Sequence, residues 1–211
     1  MFTNRLKLFR KSRSGREKNM RELILEKTAY TADQLSGNNL PQVALAGRSN
    51  VGKSSLINTL GQRRGLAKIS STPGKTRSIN FYLVKPENFY LVDLPGYGYA
   101  KRSKSERENW GLLIQGYLED NPYLKSVVLL IDSRIPPQVM DMELAQYIRS
   151  LNLGLIPVLT KTDKCKQKQI SDTSATWSGI LGFSRGPVIF SSKTGKGKDT
   201  LWARILAGTG L

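Results

Sequence analysis

The sequence predicts an α/β fold: a six-stranded, mostly parallel sheet with one antiparallel edge hairpin and helices on both faces. Three observations carry this. From residue 42 onward, short apolar runs alternate with segments of helical spacing, the pattern of strands joined by crossover helices. The run 126–132 is apolar almost throughout, as a strand buried on both faces must be. The runs 79–85 and 89–93 are joined only through Pro86, Glu87 and Asn88, which makes them a hairpin.

Taken in order, residues 1–21 form a flexible basic arm, and 22–27 reads equally as the start of a short strand or of a helix. The cluster Ser36, Gly37, Asn38, Asn39 before Pro41 is a loop. A strand follows at 42–47 and a helix at 53–60; the hairpin 79–85 and 89–93 comes next. Helix 104–119 carries the apolar spacing Trp110, Leu113, Ile114, Tyr117, Leu118. Strand 126–132, helix 139–151, strand 155–160, helix 167–181, strand 188–190 and helix 200–206 complete the alternation. Trp110, Trp177 and Trp202 fall within helices and are read as core. In such a sheet, functional loops gather at the carboxyl ends of the strands.

The most specific of those loops is Gly47-Arg48-Ser49-Asn50-Val51-Gly52-Lys53-Ser54, a complete G-x-x-x-x-G-K-S between a strand and a helix. Such a loop aims successive backbone N–H groups and the positive end of a helix at one small volume, which suits phosphate. Lys53 would reach the β- and γ-phosphates of a nucleotide, and the Ser54 hydroxyl would ligate Mg²⁺. Asp93-Leu94-Pro95-Gly96 follows the hairpin. A carboxylate there can hold Mg²⁺ through water, and Gly96 can offer its N–H to the γ-phosphate. Thr160-Lys161-Thr162-Asp163 follows a later strand. Guanine presents N1–H and N2–H₂ side by side, so a buried Asp163 can accept both, whereas adenine would leave it badly paired. The Lys161 stem can lie over the base. Phe190-Ser191-Ser192 follows the last strand and can present the Ser192 N–H to guanine O6. A threonine in the 70–78 segment can close over metal and γ-phosphate; on chemistry alone Thr72 and Thr76 are both candidates.

Composition narrows the alternatives. The chain has no histidine, which removes His-based acid–base chemistry, His metal sites and Ser-His-Asp triads. Cys165 is the sole cysteine, so no intrachain disulfide exists and a reducing compartment fits. No apolar stretch is long enough to span a bilayer. The opening residues lack the apolar core of a secretory signal; their acid-free, Arg/Ser-rich character up to Arg16 matches a basic bacterial tail or an organelle transit peptide. Lys and Arg outnumber Asp and Glu by 33 to 16, a net charge of +17. Nine basic and three acidic side chains give residues 1–27 a charge of +6, leaving +11 on the rest. A domain this basic has the electrostatic footprint of a nucleic-acid binder.

Five elements in this order resemble the translation-factor-related GTPases. The runs G-R-S-N-V-G-K-S-S, P-G-K-T-R, N-F-Y and V-D-L-P-G-Y-G-Y-A-K are similar to the EngB (YihA/YsxC) family of the TrmE-Era-EngA-EngB-Septin-like superfamily. The resemblance covers about residues 22–206 and is most specific around 47–55, 73–82 and 92–101. It implies a P-loop NTPase G domain over 22–211, and it assigns the switch threonine to Thr76, which would be catalytic together with Lys53. Implied nucleotide contacts come from Gly47 through Ser55, from Gly74, Lys75, Thr76, Arg77 and Ser78, from Asp93 through Gly96, from Thr160 through Asp163, and from Phe190, Ser191 and Ser192. Ser54 and Thr76 would hold Mg²⁺ directly and Asp93 through water. Asn50 stands where related GTPases bind K⁺. The resemblance also implies a cytoplasmic monomer that acts with rRNA and ribosomal proteins in assembly of the large ribosomal subunit, linked to cell division and septation.

Ras-like GTPases place a water-orienting glutamine directly after the D-x-x-G glycine. Here that residue is Tyr97, so slow unaided hydrolysis is expected, with a partner or ion accelerating it. The alternative is a GTP-gated binding module with negligible turnover. Tyr97, Tyr99, Lys101, Arg102, Lys104 and Arg107 interleave aromatics with cations, a composition able to stack on and neutralise RNA.

Overall fold

The computed structural model describes residues 21–35, 37, 39–68, 78–98 and 104–211, the side chains of 104–110 excepted. Among them, seven strands form one sheet rather than the expected six. They are β1 (Glu22–Ala29), β2 (Gln42–Gly47), β3 (Ile79–Lys85), β4 (Phe89–Asp93), β5 (Leu124–Asp132), β6 (Gly154–Thr160) and β7 (Val188–Ile189), in the order β1-β3-β4-β2-β5-β6-β7. The β3–β4 hairpin is antiparallel as expected, and β1 pairs antiparallel to β3 outside it, so the hairpin is one strand in from the edge. The remaining pairings are parallel, which leaves β3 alone running against the other strands.

The ambiguity at residues 22–27 has a physical cause. Register slips by one residue between Leu25 and Lys27, leaving Glu26 as the extra residue of a bulge. Before the bulge, Leu23 joins the core on one face of the sheet; after it, Ala29 joins the core on the other. A period-2 pattern is therefore broken midway through the strand. The bulge also roughens an edge that would otherwise invite pairing with another chain. Tyr90 donates its hydroxyl to the displaced Glu26.

Helices α1 (Lys53–Leu60) and α5 (Lys198–Ala207) cover one face, burying Leu56, Ile57, Leu60, Leu201, Trp202 and Ile205 against Val43, Leu45, Val128 and Leu130. The other face takes α2 (Lys104–Glu119), α3 (Val139–Ser150) and α4 (Gln167–Leu181). Tyr117 of α2 and Trp177 of α4 are fully buried there, and Tyr117 donates to the Gln42 side chain over 2.9 Å. Trp177 and Trp202 are core residues, as their helical positions suggest. The Trp110 side chain lies outside the described residues.

This topology positions the site. β2 and its neighbour β4 lead into helices on opposite faces of the sheet, α1 and α2, and the crevice at their carboxyl ends is the switch point where α/β sheets bind ligands. Parallel register then brings Gly47, Asp93, Asp132, Thr160 and Ile189 to the same edge.

Candidate functional site

Strand β2 delivers Gly47 into the loop, and two residues with positive φ, Asn50 at 64° and Gly52 at 112°, wrap the backbone round before α1 begins at Lys53. At φ 112° a side chain would be strained, so position 52 calls for glycine. The loop is braced from two sides. Tyr97 accepts from the Ser49 N–H at 2.8 Å and donates its own N–H to Gly47 at 3.3 Å. Thr160 donates its hydroxyl to the Val51 carbonyl at 2.7 Å. Gly96 lies so close to this loop that an added Cβ would sit 3.0 Å from the Ser49 backbone. The loop and the D-x-x-G turn thus pack backbone to backbone.

Lys53 and Asp93 form a buried ion pair beside that contact, with side-chain exposures of 8% and 3%. Ser54 and Ser55 follow in the first turn of α1. Several other expected contact residues have their side chains engaged within the protein. Val51, Leu94 and Phe190 bury their side chains in the core, and Thr160 and Thr162 spend their hydroxyls on main-chain carbonyls. Any ligand contact from Val51, Leu94 or Phe190 is therefore a backbone contact. Ser78 is buried at the start of β3, its hydroxyl 3.5 Å from the Asn80 side chain. Gly74, Lys75, Thr76 and Arg77 lie outside the described residues, as do Thr72, Tyr99, Lys101 and Arg102 and the side chains of Lys104 and Arg107.

A cavity of about 520 Å³ opens beside Gly52, lined by Ser55, Asn58 and Thr59 on one side and by Thr160, Lys161, Asp163 and Ser192 on the other. That volume lies within the range of small-ligand sites. Asp163 is exposed at this cavity, which corrects the expectation of a buried carboxylate. Its orientation comes from the Ser191 hydroxyl, which donates to it at 2.7 Å. That hydrogen bond, ahead of more distant lysine charges, holds the carboxyl below its ordinary range. Asp163 is therefore ionised, an acceptor with no proton to give, at neutral pH.

One residue that the sequence reading passed over, and one that it read only as a replacement for glutamine and as an RNA contact, complete the arrangement. Asp132, at the end of β5, receives Lys161 at 2.8 Å and the Arg134 guanidinium at 2.7 and 2.9 Å. Lys161 also donates to the Asn50 carbonyl at 2.5 Å, so its stem is stretched across the loop. Burial disfavours charge on Asp132, but the hydrogen bonds from Arg134 and Lys161 outweigh it and pull the carboxyl down to about 2. The signal available in sequence was a carboxylate ending an apolar strand, the same pattern that marked Asp93.

A pH dependence follows. Because the folded value lies below the ordinary 3.8, the stabilisation is complete above 3.8 and is lost as pH falls toward about 2. At about 1.4 kcal/mol per pKa unit, Asp132→Asn should cost roughly 2 kcal/mol at neutral pH. In urea titrations, the gap from wild type should close through that acid window. A gap independent of pH would contradict the assignment.

Tyr97 is the second case. Its hydroxyl donates to Asp141 in the first turn of α3 at 2.6 Å, and both side chains are buried. Burial first, then Asp141 beside it, push the hydroxyl far above its ordinary value, so it remains a donor. Burial likewise holds the Asp141 carboxyl above the usual range, against the Tyr97 hydrogen bond and the charge of Arg48. The residue that follows the D-x-x-G glycine is thus committed to α3.

Residues 42–161 match the model of a family described as 50S ribosome-binding GTPases. A probable GTP-binding protein EngB of Oleidesulfovibrio alaskensis is 57% identical over 184 residues, 87% of this chain and 84% of its own length. The chain belongs to the EngB family of GTP-binding proteins. Its likeness to EngB proteins extends to Clostridium perfringens, at 47% identity over 82% of this chain and 89% of that relative. Among solved structures, a probable EngB shares the fold with a TM-score of 0.63 at 24% identity, covering 80% of this chain and 98% of that one. Aquifex aeolicus Era bound to GDP·AlF₄⁻ superposes with a TM-score of 0.67 at 26% identity, covering 81% of this chain and 57% of Era. This EngB-family chain therefore has the P-loop GTPase fold, with a candidate nucleotide site at the switch point. Among the described residues, no helix is long and apolar enough to cross a membrane.

Proposed function

We propose that this protein is a cytoplasmic, monomeric GTP switch in assembly of the large ribosomal subunit, coupled through that role to cell division and septation, and that it hydrolyses GTP slowly with Mg²⁺. The observation that carries the guanine reading is Asp163, ionised and exposed at a cavity bounded on its other side by α1 and Gly52. The ribosomal reading rests on the description of the matching family and on the net charge of +17.

In this reading the N–H groups of 50–54 and the Lys53 ammonium hold the β- and γ-phosphates, and Gly96 senses the γ-phosphate. The donors this reading assigns, the Ser54 and Thr76 hydroxyls and the Asp93 carboxylate, are hard oxygens of the kind Mg²⁺ takes alongside nucleotide phosphates. When bound, Mg²⁺ would neutralise charge developing on the phosphates. Lys53 must then exchange part of its contact with Asp93 for phosphate, an exchange of one anion for another. Hydrolysis is slow because the Tyr97 hydroxyl is held by buried Asp141 and does not position water. The same bond favours the second reading, a GTP-gated binding module with negligible turnover.

Co-sedimentation with large ribosomal subunits tests the proposal: binding should differ between GDP, GTP and a non-hydrolysable analogue. Binding indifferent to nucleotide would remove the switch. Turnover should also be faster in KCl than in NaCl at equal ionic strength if exposed Asn50 helps bind K⁺. Equal rates would end that role.

A further inference from the structure

Four exposed cations from three separate loops surround the mouth of the candidate guanine cavity. Arg63 and Arg64 follow α1, Lys164 follows β6 and Lys193 follows β7, and all four line the same opening. None belongs to the residues assigned above to the nucleotide. Among the described lining residues Asp163 is the one carboxylate, and it is engaged by Ser191. The cations stand on pinned backbone. The Asn58 side chain clamps Ala67 through bonds of 3.0 and 2.8 Å, and the Asn58 carbonyl accepts from the Arg63 N–H at 3.1 Å. The Lys164 N–H donates to Lys161 at 2.9 Å, and the turn carrying Lys193 is closed by the Gly195 N–H on Ser191, also at 2.9 Å.

Fixed like charges around a concave opening repel one another until an anion spans them. We propose that this rim clasps the phosphate backbone of a single RNA strand laid across the cavity mouth, and that RNA bound there slows escape of the guanine nucleotide. The inference rests on the ribosomal reading above and names the surface and its consequence. A single strand is flexible enough to follow a curved rim, and backbone contacts need no particular sequence. A membrane is a poorer occupant. Surface-binding segments combine cations with exposed apolar residues, and the exposed large apolar side chains here, such as Val139, Met140 and Leu112, are not among the cavity's lining residues.

The test uses the full chain loaded with fluorescent GDP and chased with unlabelled GDP, with and without oligouridylate. Release should slow severalfold with RNA and recover as salt is raised. Four phosphate contacts on a single strand give a slope of log affinity against log salt of about −3, and Arg63→Gln with Arg64→Gln should reduce it to about −1.4. Lys193→Gln, in a different loop, should reduce it again by about 0.7. If RNA binds but release is unchanged, or the slope survives both sets of substitutions, the rim is not the docking surface while the ribosomal reading stands. Polyglutamate competing as well as oligouridylate would overturn the assignment to RNA. Absence of any RNA binding by the unaltered chain would overturn the inference and its ribosomal premise together.

Discussion

Asp163→Asn is expected to weaken GDP binding by about 10²–10⁴-fold, from the loss of two charge-assisted hydrogen bonds, and to admit xanthine nucleotides. The ionised carboxylate only accepts, which matches the paired N1–H and N2–H₂ of guanine. An asparagine turns an N–H₂ toward those donors, whereas xanthine offers a carbonyl where guanine has its amino group. The side chain is exposed and accepts from the Ser191 hydroxyl, a contact an asparagine oxygen can keep, so folding should be spared and the effect confined to binding. Competition of GDP and XDP against a labelled nucleotide measures it. Unchanged GDP affinity would mean that the base lies elsewhere.

Lys53→Ala should damage both binding and the free protein. Its ammonium is the buried partner of Asp93, whose side chain is 3% exposed. Removing one member of such a pair leaves a charge in low dielectric and costs about 3–5 kcal/mol. The apo-protein should therefore lose stability in denaturant titrations before any nucleotide is added, and γ-phosphate contact should be lost as well. Lys53→Ala combined with Asp93→Ala should recover much of the stability and none of the GTP affinity. If the single substitution leaves apo stability intact, the pair is not a structural element. If the double variant binds GTP normally, the phosphate role of Lys53 fails.

These two residues were readable from sequence because local chemistry defines them. Lys53 belongs to a contiguous motif whose glycines, cation and hydroxyl are of the kind that suits phosphate, and Asp163 follows an apolar strand in a short polar turn. The hairpin was equally legible, since three residues separate its strands. β1 was not, because the bulge at Glu26 moves the buried side of the strand from one face of the sheet to the other. The exposure of Asp163 was also out of reach, because burial is set by how neighbouring loops close over a position.

By itself, the sequence determined the alternation of strands and helices, the phosphate-loop motif, the Thr160–Asp163 turn after a later strand, and the excess of positive charge. Each depends on residues near one another in the chain. The tertiary structure alone decided that Asp132 anchors Lys161 over 29 positions, that Tyr97 commits its hydroxyl to Asp141 over 44, and that Arg63, Arg64, Lys164 and Lys193 share one cavity mouth. The physical reason is parallel strand order. Crossovers bring the carboxyl ends of distant strands to one edge, and pairings made there have no counterpart in local spacing.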